Sequence, residues 1–190
     1  MLLSAARLLR HFHSASQGFL ATDDAIQTWM LPPQEPREIV CHGDYAPYNV
    51  TTAECEAVGI IDFDTAHPAP RLWDLAYAVY RWAPLSGASH PGVISGLDEQ
   101  LRRAELFCTA YETTAEERQQ LPEMICRRLQ ALVNFMQARA SAGDETFVED
   151  VAAGDAQLYL SDIGYVQKHR DRLLKALLQL EPLPAAEKAE

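Results

Sequence analysis

The strand-forming sequence of this chain is confined to one short stretch. Between positions 39 and 64 lie "IVCHGD" (39–44), "NVTT" (49–52) and "AVGIIDFD" (57–64), three brief β-branched runs separated by turn residues. From Arg71 onward the apolar residues recur at helical spacing almost to the end. Three strands of this size cannot build a large sheet or barrel, so helices must supply the core. The expected class is α+β, mainly helical, with a small β insert carrying polar motifs. At 190 residues and 48% hydrophobic content the chain can bury such a core as one domain, or as one lobe of something larger.

The helical pattern begins at the N-terminus. Leu2, Ala5, Ala6, Leu9 and Phe12 or His13 share a face within residues 1–22. Arg7, Arg10, several serines and no acid also give that segment the composition of an organelle transit peptide. An internal helix of a folded domain explains it without targeting. "LPPQEPRE" (31–38) forbids helix and leads into the strands. In "RLWDLAYAVYRWA" the residues Leu72, Leu75, Ala76, Val79 and Tyr80 fall on one face, and "SGLDEQLRRAELFCTAY" follows a Pro and Gly loop at 84–96. Thr114 and Glu117 form a T-x-x-E capping box, Pro122 is expected to kink or restart the helix it begins, and Gly143 stands where that helix should close. Helices over about 145–153 and 156–180 come next, then a polar tail expected to fray.

A net charge of −11 and a pI near 4.9 argue against nucleic acid or an anionic membrane as partner and favour a cationic or metal-bound ligand. Cys41, Cys55, Cys108 and Cys126 are too scattered for a zinc knuckle or a disulfide framework, which points to buried, reduced thiols in a cytoplasmic protein. No apolar run approaches the ~18 residues of a membrane span.

Chemistry concentrates in "VCHGDYAPYNV" (40–50). Asp44 lies on a loop after a strand, where a carboxylate can be offered to a ligand, and Asn49 closes that loop. Asp62 ends the apolar run "VGIID", and a carboxylate at the end of a buried strand needs a partner. Magnesium, which takes one or two carboxylates with waters and substrate phosphates, would serve with an Asn carbonyl beside it. Singly, Asp44 and Asn49 also fit an Asx turn, Asp62 a turn-capping carboxylate, His42 a structural hydrogen bond and Asp74 a helix-dipole contact. Together, "HGDYAPYN", "IIDFD" and "LWDLAYAV" resemble the aminoglycoside phosphotransferase and choline kinase family, relatives of the protein kinases. The resemblance implies Asp44 as catalytic base, Asn49 and Asp62 as Mg²⁺ ligands, ATP as phosphoryl donor, and His42 and Asp74 as supports of the catalytic loop. Asp64 stands where protein kinases carry Gly; a second metal contact and a solvent-facing side chain are both open.

The resemblance is to a C-terminal lobe, covering residues 1–181 with a flexible tail at 182–190. The nine glycines form neither G-x-G-x-x-G nor G-x-x-x-x-G-K, and the three lysines, Lys168, Lys175 and Lys188, lie near the C-terminus. The N-terminal nucleotide lobe of the family is therefore expected to be absent. The implied function is transfer of the ATP γ-phosphate to a hydroxyl of a small, often cationic molecule, with weak or no activity alone; the alternative is a non-catalytic ligand-binding or interaction module. A homodimer or a partner chain would then cover the face of the missing lobe. The acidic stretch "GDETFVEDVAAGD" (143–155) either lines a cationic pocket or forms a solvated helix face.

Overall fold

The computed structural model describes residues 1–21, 28–87 and 96–179; the tail at 182–190 lies outside the described residues. The protein is mainly helical, of the α+β class. Helix α1 (Leu2–Ser16) precedes four short strands, β1 (Ile39–Cys41), β2 (Val50–Ala53), β3 (Glu56–Ile60) and β4 (His67–Ala69). Helices α2 (Arg71–Trp82), α3 (Leu97–Tyr111), α4 (Ala115–Ser141), α5 (Glu145–Ala153), α6 (Asp155–Lys168) and α7 (Arg170–Leu178) follow. The strands form two antiparallel pairs, β1 with β4 and β2 with β3.

Strands β1 and β3 are shorter than their sequence runs, for a reason that matters to the site. The run from Ile39 leaves the ladder at Cys41 because the next backbone N–H groups, of His42 and Gly43, bond to the Asp74 side chain instead of to a strand. The run from Ala57 stops at Ile60. Strand β4 escaped the sequence reading because Pro68 sits in its middle; a two-stranded ladder has only edges, where proline is tolerated. Between β2 and β3 the two turn residues, Glu54 and Cys55, both have positive φ, as a tight primed hairpin turn requires. That turn exposes Cys55, which corrects the expectation of four buried thiols; Cys41, Cys108 and Cys126 are buried, and all four are free.

Helix α2 is the centre of the core. Its residues Leu72 to Tyr80 and Trp82 are all buried, so the expected single apolar face is an apolar surround, with α3, α4 and β1 packed on it. Trp82, Phe107, Leu75, Leu9 and Leu129 fill the main cluster, and Tyr45 joins it from the loop, its hydroxyl donating to the Ala5 carbonyl at 2.8 Å. Helix α4 continues through Pro122 without the restart that was one expectation, with α2, α5, α6 and α7 packed along its length. The helix expected over 156–180 divides at His169, whose φ of −105° and ψ of 12° leave the helical region and redirect the chain so that Leu173 and Leu177 reach the core.

Both expected caps of α4 are made. Thr114 Oγ1 accepts from Glu117 N at 3.1 Å while Glu117 accepts from Thr114 N at 2.7 Å. At the other end Gly143, with φ of +86°, donates to Ala140 O while Asp144 N donates to Arg139 O, the paired bonds of a Schellman closure. Replacing Thr114 with Ala leaves the Glu117 N–H without its acceptor and is expected to lower stability by about 1 kcal/mol, read as a shift in the urea midpoint at unchanged slope.

Candidate functional site

The loop from His42 to Asn49 is held at every backbone N–H and carbonyl of its first three residues. Asp74, fully buried in the first turn of α2, accepts from His42 N at 2.7 Å and His13 Nε2 at 2.9 Å through Oδ2, and from Gly43 N at 2.9 Å through Oδ1. The His42 carbonyl accepts from Thr65 Oγ1 at 3.0 Å, and the Gly43 carbonyl accepts from Arg128 Nη2 at 2.6 Å. Asp44 N donates to His42 Nδ1 at 3.2 Å, and Asp44 O accepts from Asn49 Nδ2 at 2.9 Å. Gly43 is required here. Its φ is +85°, and a Cβ would stand 2.4 Å from the Thr65 carbonyl oxygen.

His42 is thereby assigned a structural place. Because Nδ1 accepts from Asp44 N, the proton resides on Nε2, which donates to Ile61 O at 2.9 Å. The ring is buried, close against Phe63 and edge-on to Tyr45. Ile61 N in turn donates to Asn49 O at 3.1 Å. These two bonds clamp residue 61 onto the loop, so the next residue, Asp62, is brought beside Asn49.

Asp62 differs from its expectation. The strand ends two residues earlier, the backbone turns to a φ of 64°, and the side chain is exposed without a partner among the described residues. It therefore carries no burial penalty. An Asp tolerates this left-handed conformation better than most residues, and the turn points a free carboxylate outward. Asp64 is also exposed, in the turn closed by the Ala66 N to Phe63 O bond, and has no partner among the described residues. The structure thus brings Asp44, Asn49, His42 and Asp74 into one network, sets Asp62 next to it and leaves Asp64 at its edge.

The side chain of Asp44 is half-buried, and its two oxygens are engaged. Oδ2 accepts from Asn49 Nδ2 at 2.9 Å and Oδ1 from Tyr48 Oη at 2.8 Å. With Nδ2 directed at Asp44, the Asn49 Oδ1 atom accepts nothing among the described residues and is available to a cation. Burial, and next the charge of Asp44, push the Tyr48 phenol up to about 12, so it remains a donor at neutral pH. The Tyr48 ring lies over the Arg81 guanidinium, 5.3 Å away.

Asp44 opens into a cavity of about 220 Å³ whose far side comes from α5 and α6. Tyr48, Tyr77, Tyr159 and Phe147 supply aromatic surface, and Asp150 and Asp155 supply carboxylates from either side of Gly154, where α5 turns into α6. Of the acidic stretch at 143–155, these two half-buried aspartates line the cavity, while Glu145 and Glu149 face solvent. Sequence reasoning missed His13, Tyr48, Tyr159 and Arg128 as parts of the site. Tyr48 stood inside the quoted motif, but the other three are far away in sequence and carried no local signal.

A model of the phosphotransferase enzyme family matches residues 2–116. The chain belongs to that family. Its match extends from α1 into the first turn of α4, so Asp44, Asn49, Asp62 and Asp74 lie inside the matched part, and Arg128, Asp150 and Asp155 lie beyond it. No curated protein and no solved structure matches the chain. No helix among the described residues of this phosphotransferase-family chain is long and apolar enough to cross a membrane.

The Asp74 carboxylate gives the family loop a pH-dependent anchor. Burial alone would push its pKa up, but the His13 hydrogen bond and charge and the His42 backbone N–H outweigh burial and bring it down to about 2. A folded-state pKa below the unfolded value, near 3.8, contributes stability that is complete above the unfolded pKa and disappears as pH falls through the folded one. Urea midpoints measured from pH 7 downward are expected to fall between about pH 4 and about pH 2, and Asp74→Asn is expected to lower the midpoint at pH 7 and flatten that fall.

Proposed function

We propose that this chain carries the catalytic lobe of a protein-kinase-like small-molecule phosphotransferase, spanning residues 1–181, that transfers the γ-phosphoryl group of ATP to a hydroxyl of a small cationic molecule. The observation that carries the reading is the loop from His42 to Asn49. It is held rigid by buried donors and acceptors while it presents an Asp carboxylate toward a cavity and a free amide oxygen beside an exposed Asp. Phosphoryl transfer demands little covalent chemistry from a protein; it demands positioning and charge neutralisation, and a pinned loop supplies the first.

In this reading Asp44 accepts the proton of the acceptor hydroxyl, which takes the place now held by Tyr48 Oη on Oδ1. Asn49 Oδ1 and the Asp62 carboxylate hold Mg²⁺, which supplies charge neutralisation to the phosphates when bound. The donor set fits that ion. Asn49 Oδ1 and the Asp62 carboxylate are oxygen donors, and magnesium is characteristically held by one or two protein oxygens with the rest from water and phosphate. His42 and Asp74 orient the loop, and Asp64, exposed at its edge, is left to solvent or to an outer contact. Asp150 and Asp155, set among Tyr48, Tyr77 and Tyr159, favour a cationic acceptor by charge and by the negative faces of the rings. At about 220 Å³ the cavity suits a molecule of one small ring or less.

A second reading is a ligand-binding module without turnover, in which the Asp44 carboxylate stays engaged by Asn49 Nδ2 and Tyr48 Oη. Val58, Ile61 and Phe63, exposed beside Asp62, offer an apolar surface to a partner chain or a second copy.

Isothermal titration with Mg·ATP separates the readings. Binding that is millimolar or tighter, abolished by Asp62→Ala and retained in Asp44→Asn, is the expected result for the phosphotransferase. The Asp44→Asn variant should then lose phosphoryl transfer by about 100-fold or more, the usual contribution of a general base. Absence of both nucleotide binding and transfer at high protein concentration would exclude catalysis by this chain alone.

A further inference from the structure

A second cavity, of about 380 Å³, shares Arg128, Leu132 and Phe135 with the first but has no carboxylate in its wall. Its lining is mostly apolar, with Leu31, Trp73 and Ala131 completing the hydrocarbon surface. Of the other polar groups there, His67 is engaged at both ring nitrogens, and Gln34 and Asn134 at one amide atom each. His67 Nε2 accepts from Trp73 Nε1 at 3.1 Å and its Nδ1 donates to Thr65 O at 2.8 Å, which makes the ring neutral. Burial lowers the His67 pKa and keeps it so. Gln34 Nε2 donates to Pro32 O, and Asn134 Oδ1 accepts from Gln130.

Arg128 is different. Its side chain is 97% out of solvent by the residue's 3% exposure, yet it forms no ion pair among the described residues. The guanidinium lies 5.4 Å from the Trp73 ring and 4.9 Å from the Tyr77 ring, and its hydrogen bonding consists of Nη2 to the Gly43 carbonyl. Nε has no partner. Its direct contacts are neutral, the carboxylates of the first cavity forming no ion pair with it, and a buried cation so placed lacks the anion that ordinarily accompanies it. Aromatic faces and one carbonyl compensate in part, and an arginine is the side chain best shaped to receive a carboxylate at its remaining N–H groups.

We propose that this cavity is a binding site for a small monocarboxylate with an apolar body, of the size of benzoate or phenylacetate, whose carboxylate pairs with Arg128 while its hydrocarbon part lies among Trp73, Leu132 and Phe135. The site adjoins the acceptor cavity proposed above, with which it shares part of its wall, and it does not rest on that reading. It adjoins the functional loop through one side chain, since the guanidinium that meets the carboxylate also holds Gly43 O.

The test is isothermal titration of the full chain with sodium benzoate and sodium phenylacetate at neutral pH, beside the neutral isosteres benzamide and benzyl alcohol. Saturable carboxylate binding, with benzamide weaker by about tenfold or more, is expected. Arg128→Met should remove the preference for the acid over benzyl alcohol. Because that substitution also frees the Gly43 carbonyl and can disturb folding, Ala131→Trp serves as a second variant: it fills the cavity, leaves Arg128 in place and should abolish benzoate binding. Equal binding of benzoate and benzamide, no binding of either carboxylate, or undiminished benzoate binding in Ala131→Trp would overturn the proposal.

Discussion

The buried carboxylate of Asp74 is the constraint on which the site depends. Removing an ionised carboxylate from water costs several kcal/mol unless donors replace the lost hydration. Here three do, two backbone N–H groups from the loop and the imidazole of His13. The same bonds that make the charge tolerable fix the positions of His42 and Gly43, so the cost of burial and the rigidity of the loop have one origin. They also explain why β1 is only three residues long: the N–H groups that would have continued the strand have a stronger, charged acceptor.

From that anchor the arrangement spreads in two directions. Through His42 it reaches Ile61 and Asn49, which sets the Asp62 turn against the loop. Through Gly43 it reaches Arg128 on α4, and hence the helices that wall the cavity in front of Asp44. The division coincides with the reach of the family match, which covers the loop and its supports and ends one turn into α4. The loop and its supports therefore lie inside the family match, and the cavity wall with Asp150 and Asp155 lies beyond it.

Much of this was legible beforehand, and the reasons differ by element. The capping box at Thr114 and Glu117 and the Gly143 closure were readable because caps are local: the residues that satisfy a helix end lie within four positions of it. The spacing of Asp44 and Asn49 was readable because both belong to one loop. Pro122 misled as to a restart, since propensity describes an isolated helix and four others pack along α4. Asp62 misled in the opposite sense, since an apolar run suggested a buried end and the chain had already turned outward at Ile60. Cys55 was misjudged for want of the hairpin turn that exposes it.

The sequence by itself determined the class of fold and the loop proposed to carry the chemistry, because hydrophobic periodicity, caps and a motif of six residues are all short-range properties. Only the tertiary structure decided what holds that loop and what faces it. His13 meets Asp74 across 61 residues and Arg128 meets Gly43 across 85. Neither contact leaves a periodicity or a spacing along the chain. Such pairs form because burying polar groups obliges each to find a partner wherever packing brings one within reach, and that is settled by how the helices assemble.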